Sequence, residues 1–174
     1  KGCYFLIGKP DGTLCITEGF ATGASIHEAT GHAVAVAFNA GNLLPVSKSL
    51  RDRHPDICMN ICADDDTWTD GNPGLSKGRE AAEAVDALLA VPDFGKDRSD
   101  DATDFNDLCL SAGPEAVRTC IERAEAISKP EPVTAAGLLD AAGILANIEG
   151  TDVAMDALRQ LMQLLNENGA DNLL

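Results

Sequence analysis

Residues 33–38 (AVAVAF) and 57–63 (ICMNICA) are apolar almost without interruption. A strand with one wet face alternates apolar and polar residues, whereas runs like these suit strands buried on both sides. Burial of both faces calls for helices above and below, so the segments around the runs decide the fold. Residues 21–30 read as a helix stopped by Gly31, and residues 44–53 as a second one ended by Pro55. Farther on, Ala81, Ala84, Val85, Leu88 and Leu89 recur at the spacing of one helix face, which predicts an amphipathic helix. Strands alternating with helices predict an α/β fold, a small parallel sheet flanked by helices.

The other segments fit that frame. Residues 3–7 and 14–17 read as strands joined by the turn Lys9-Pro10-Asp11-Gly12, either a hairpin or a strand-turn-strand unit. Residues 39–42 and 67–76 read as loops, and 96–103 as a polar, charged loop. Residues 90–92 suit a short edge strand, because Pro92 is better tolerated at an edge. Residues 104–108 open a helix, and Pro114-Glu115 start another with Val117, Ile121 and Ala124 as its apolar stripe. A linker over residues 129–133 precedes two helices, 134–148 and 151–166, expected to form an αα-hairpin. The expected organisation is a domain over residues 1–110 and a C-terminal helical extension over 111–174.

Composition narrows the function. Apolar residues make up 45% of the chain and aromatics only 4%, so the core must be built from Ala, Val, Leu and Ile. The net charge of -15 excludes nucleic-acid binding through a broad basic surface. Any such chemistry must run through bound metal, or through basic parts supplied by another domain. Of the six cysteines, Cys15, Cys58 and Cys62 fall inside predicted strands, where a buried free thiol is common. With no CxxC pair and no signal peptide, reduced structural cysteines in a cytoplasmic protein are expected. No apolar stretch approaches the ~20 residues needed to span a bilayer. Lys1 opens directly before a strand with no initiator Met, so the chain reads as a piece of a longer protein.

Two predicted strands deliver carboxylates at their carboxyl ends. Glu18 follows residues 14–17, and Asp64-Asp65-Asp66 follow residues 57–63. Neighbouring strands lie about 4.8 Å apart, so these acids can converge. Asp64 and Asp66 point the same way if the chain stays extended. Clustered carboxylates repel one another unless a cation sits between them, and hard oxygen ligands favour Mg²⁺ or Mn²⁺ over zinc.

Residues Cys15-Ile16-Thr17-Glu18-Gly19 resemble the first TOPRIM signature, a hydrophobic strand ending in Glu-Gly. Residues Ile61-Cys62-Ala63-Asp64-Asp65-Asp66 resemble the second, a hydrophobic strand ending in Asp-x-Asp. The finer pattern is similar to plasmid- and phage-encoded primases of mobile elements. It lies in Glu18-Gly19-Phe20-Ala21-Thr22-Gly23, in the loop Gly71-Asn72-Pro73-Gly74 with Lys77, and in Thr103-Asp104-Phe105-Asn106-Asp107-Leu108. The likeness covers residues 1 to about 110 and implies a sheet flanked by helices. It implies that Glu18 is the general acid/base or metal partner, that Asp64 and Asp66 hold metal, and that Asp104 opens a third acidic cluster. Asn106 stands where some relatives place an acid, with Asp107 the nearest substitute. The activity implied is Mg²⁺- or Mn²⁺-dependent nucleotidyl transfer, the making of RNA primers in DNA replication. The implied partners are a single-stranded DNA template, nucleotides, and other primase domains or a helicase. A nuclease using the same acids, or a non-catalytic module of a replication protein, is the alternative.

Lys77 follows a glycine-rich turn and suits either a phosphate contact or a surface position, but the P-loop spacing is absent. Asn72 suits a turn or the orientation of a metal-bound water. Trp68, beside the acidic triplet, suits packing of its loop, with base stacking as the other reading. His27, His32 and His54 lack metal-binding spacing. Lys48, Arg51 and Arg53 read as a solvated face. Topoisomerase chemistry is disfavoured, because Tyr4 is the only tyrosine and lies in a strand. A response-regulator phosphoacceptor fits Glu18-Gly19 poorly.

Overall fold

The structure, a computed structural model, describes residues 1–96 and 98–127. The elements in chain order are β1 (Phe5–Ile7), β2 (Thr13–Thr17), α1 (Phe20–Thr30), β3 (Ala33–Val36), α2 (Ala40–Arg53), β4 (Cys58–Cys62), α3 (Pro73–Ala84), β5 (Leu88–Ala90), α4 (Phe105–Ala112), α5 (Pro114–Glu122) and β6 (Glu125–Ala126). The predicted linker over 129–133 and the helices over 134–148 and 151–166 lie outside the described residues.

The strands form one sheet in the order β1-β3-β2-β4-β5-β6. The four central strands are mutually parallel, as the apolar runs require. The two outer ones are not: β1 runs antiparallel to β3 and β6 antiparallel to β5. The sheet is therefore mixed, with a parallel centre. The first two strands make no hairpin, because β3 is inserted between them and pairs Leu6 with Ala35 on one side and Ile16 with Ala35 on the other.

Side chains alternate between the two faces along each strand. Leu14, Ile16, Met59 and Ile61 pack with Leu43, Val46 and Leu50 of α2 and with Ala81 and Ala82 of α3. Cys15, Val34 and Cys62 face the other way and pack with Ile26 of α1, Phe105 and Leu108 of α4, and Val117 and Ile121 of α5. All six cysteines are free thiols. Cys15 and Cys62 are buried as expected, but Cys58 is exposed, since it begins β4 at the rim of the sheet.

Five local expectations fail. The loop expected over 39–42 is mostly helix, and α2 starts at Ala40 with Pro45 inside it. Its first turn is anchored from outside. The Asn42 amide donates to the carbonyls of Cys3 and Ala37 at 2.8 Å each, and its oxygen accepts from the Gly2 N–H at 2.7 Å. The loop expected over 67–76 is shorter too, since Pro73 occupies the first turn of α3. That helix ends at Ala84, and Leu88 and Leu89, which keep the helical spacing, belong to β5. Asp86 takes a left-handed conformation between them (φ 48°). Arg51 donates to the carbonyls of Val85 and Ile57, tying the end of α3 to the start of β4. Arg51 is thus a staple rather than part of a solvated basic face. β5 is also not an edge, since β6, which no pattern marks, lies outside it.

No described helix is long and apolar enough to cross a membrane.

Candidate metal centre

Glu18 follows the last residue of β2, and Asp64 lies two residues past the end of β4. The two strands are adjacent and parallel, with Ile16 opposite Ile61. Two residues farther, Glu18 is level with Ala63, next to Asp64. The Phe38 N–H donates to the Glu18 carbonyl at 2.8 Å, and the Ala63 N–H to the Ala90 carbonyl at 3.0 Å, so both strand ends are fixed.

The acids feel one another. Burial, then the charge of Asp66, pushes the Glu18 carboxyl up, opposed in part by a backbone hydrogen bond from Ala40. Burial pushes Asp64 up to about 8, helped by the charges of Glu18, Asp104, Asp66 and Asp107. Glu18 Oε1 and Asp64 Oδ1 are buried with no hydrogen-bond partner among the described residues. A buried carboxylate oxygen left in this state is costly, and the cost is relieved by a proton or by a cation. The donor set, carboxylate oxygens alone, fits a hard divalent ion. Among the described residues no three acids, histidines or cysteines stand close enough together to form a finished coordination cluster. The fold thus gathers the acids into one field without closing them into a cage.

The middle residue of the triplet has a separate task. Asp65 accepts from the Asn72 side chain at 2.7 Å, from Thr67 Oγ1 at 3.1 Å, and from Arg98. Burial raises its pKa, but these hydrogen bonds and the guanidinium charge prevail and hold it below the usual value. Arg98 donates from Nε to the Ala102 carbonyl, from Nη1 to Asp65 Oδ2 and Thr67 Oγ1, and from Nη2 to the Asp65 and Ala102 carbonyls. All five of its N–H donors are spent inside the protein. Arg98 and Asn72 therefore pin the triplet by its centre, while Asp64 and Asp66 share the electrostatic field around Glu18. Asp66 accepts from the Gly74 N–H at 3.1 Å. A Cβ at Gly74 would stand 2.8 Å from the Asp64 carbonyl oxygen and 2.9 Å from Asp66 Oδ2, so only glycine lets α3 start this close to the acids.

The third cluster lies at the start of α4. Asp104 caps that helix, and Asp104 and Asp107 bond reciprocally to each other's backbone N–H groups. Asp104 Oδ2 also accepts from Thr22 Oγ1 of α1 at 2.5 Å, and Asn106 accepts from Ser25 at 3.1 Å. Two bridges thus hold α4 against α1 and keep Asp104 and Asp107 within electrostatic reach of Asp64. Lys77 is set apart, exposed and paired with Glu80 at 2.6 Å. Asn72 is the cap of α3 in a left-handed conformation and holds Asp65. Sequence reasoning missed Arg98, because a cation in a polar, charged loop looks solvated. Its distinguishing signal, that it stands among acids with an acidic triplet to neutralise, only appears once the loop is folded back.

Carboxylates at the ends of adjacent parallel strands, framed by a glycine-containing helix start, define a class: an α/β domain with an acidic strand-end site. Over residues 13–115, more than half of the chain, the sequence matches the family described as the Toprim domain, and the chain belongs to that family. It is 41% identical over 103 residues to a DNA primase TraC of Escherichia coli, a match covering 54% of this chain and 10% of the relative. A second DNA primase TraC of Escherichia coli matches at the same identity, with 7% of its length covered. The matched segment thus spans a tenth or less of the length of these relatives. Among solved structures, the RNA polymerase domain of Mycobacterium tuberculosis primase DnaG aligns at 19% identity and a TM-score of 0.46, covering 87% of this chain and 50% of that one.

Proposed function

We propose that this chain is the catalytic, metal-binding part of a DNA primase. Glu18, Asp64 and Asp66, with Asp104 alongside, would hold Mg²⁺ or Mn²⁺ for nucleotidyl transfer in RNA primer synthesis on single-stranded DNA. One observation carries the reading: two buried carboxylate oxygens on neighbouring strands, Glu18 Oε1 and Asp64 Oδ1, lack any described partner and sit in a shared negative field. The name of the relatives, DNA primase TraC, supports it.

A bound divalent ion would neutralise phosphate charge and lower the pKa of an attacking hydroxyl. The chain's own residues do the rest. Burial and the charge of Asp66 raise the Glu18 pKa above the usual carboxyl value, which suits a group that takes or returns a proton during transfer. Asp64 and Asp66 supply negative oxygens in an orientation fixed through Asp65, Arg98 and Gly74. Nucleotides and template would be met at this site, and other primase domains or a helicase would be the protein partners.

The test is calorimetric titration of Mn²⁺ or Mg²⁺ into the full chain and into Asp64→Ala. Saturable binding in the parent that weakens at least tenfold in the variant is expected. Equal binding in both would sink the assignment.

A further inference from the structure

Trp68 is the chain's only tryptophan and lies two residues past Asp66. Packing was the simpler reading of its sequence position. In the structure it is 62% exposed, so it does not pack its loop. The loop itself is firm. The Thr67 N–H donates to the Asp65 carbonyl at 2.8 Å, Thr69 to Asp66 at 2.8 Å, and Asn72 to Thr69 at 2.9 Å. Ser76 closes it on the Gly71 carbonyl at 2.7 Å. The guanidinium of Arg98, held by Asp65 and Thr67, stands 5.9 Å from the indole centroid and fixes one side of the ring. Beside the ring is a hollow of about 500 Å³ lined by residues 67–72. This is a preorganised aromatic surface in the loop that follows the acidic triplet.

Its surroundings restrict what can lie on it. Asp70 in the same loop repels phosphate, and Arg98 has no donor left to attract one. A flat, uncharged ring is the complementary ligand, because every nucleobase offers a π-face for stacking. We propose that Trp68 is a stacking platform for a nucleobase, belonging either to an incoming nucleotide or to single-stranded nucleic acid whose phosphates face Glu18, Asp64 and Asp66. The proposal rests on the reading of those acids as a phosphate-facing metal site, and adds the contact that would hold the base.

With one tryptophan in the chain, its fluorescence reports on this position alone. The full chain is titrated in Mg²⁺ with ATP and, separately, with a short oligothymidylate, using tripolyphosphate as a base-free control. Quenching by a base-bearing ligand and not by tripolyphosphate is expected. Quenching by ATP alone identifies the free nucleotide as the occupant, and quenching by the oligonucleotide alone identifies the single strand. By anisotropy of the labelled ligand, Trp68→Ala binds about tenfold more weakly, whereas Trp68→Phe keeps the ring and stays within about threefold of the parent. No quenching by either ligand at millimolar concentration, or unchanged binding in a folded Trp68→Ala, overturns the proposal. The Mn²⁺ titration of Asp64→Ala is read independently, so a failed platform and a failed metal site give different patterns.

Discussion

Asp64 meets two opposed demands. Its position at the end of a buried strand removes it from water, and four other acids add their repulsion, so its carboxyl is pushed from 3.8 up to about 8. A carboxyl whose folded pKa is raised binds extra protons in the folded state. Its favourable contribution is complete below the unfolded value, near pH 4, and is lost as pH rises towards about 8. The ion-free chain should therefore lose stability across that window, measured as melting temperature in chelator. Asp64→Asn should flatten the slope and raise the melting temperature near pH 8 by about 4 °C or more, corresponding to ~1 kcal/mol. Added Mg²⁺ should raise the parent's melting temperature at that pH and leave the Asn variant nearly unmoved. A parent whose stability is level from pH 4 to pH 8 would contradict the burial argument. Asp65, one residue away, behaves oppositely because Asn72 and Arg98 hold its charged form. Two identical neighbours thus shift in opposite directions, Asp64 through burial and Asp65 through its partners.

At the scale of elements, the site depends on how closely α3 approaches β4. Gly78 is the contact that permits it, since a Cβ there would stand 2.5 Å from the Ala63 Cβ. Gly78→Ala gains about 1 kcal/mol of helix propensity but incurs an overpacking cost of about 1–3 kcal/mol. The clash prevails because Ala63 is fully buried and adjoins Asp64. A net loss of about 1 kcal/mol by urea denaturation is expected, together with weaker Mn²⁺ binding. A Gly78→Ala chain as stable as the parent would show that α3 can shift without consequence. The same contact explains why a helical spacing misled at Leu88 and Leu89. Once α3 is docked, the chain has only a few residues in which to turn and fill the place between β4 and β6.

At the scale of the molecule, charge is the governing fact. A net charge of -15 repels a template over most of the surface, and two of the described cations that follow the acids in the chain are already paired. Arg98 is spent on backbone and Asp65, and Lys77 on Glu80. The chain alone should therefore show little or no template-dependent primer synthesis, because so acidic a chain gives the strand little electrostatic support. Activity should require basic partner segments supplied in the same protein or in another. Robust priming by the isolated chain at physiological salt would refute this.

Some of this was settled by order along the chain. An apolar run such as residues 33–37, buried throughout, suits a covered parallel sheet, so the α/β class and the strand-end positions of Glu18, Asp64 and Asp66 were legible from local pattern. The helix stop at Gly31 and the helix start at residue 104 were legible for the same reason, since they rest on neighbouring backbone. The antiparallel edges β1 and β6, the helical turn held by Asn42, the Arg98–Asp65 clasp and the exposure of Trp68 were decided only on folding. Each depends on groups remote in the chain, and the energy of such contacts has no local signature. Local propensity and periodicity can place a carboxylate at the end of a strand. Only the packed structure determines which carboxylates are paired, which are left buried, and so which can serve an ion.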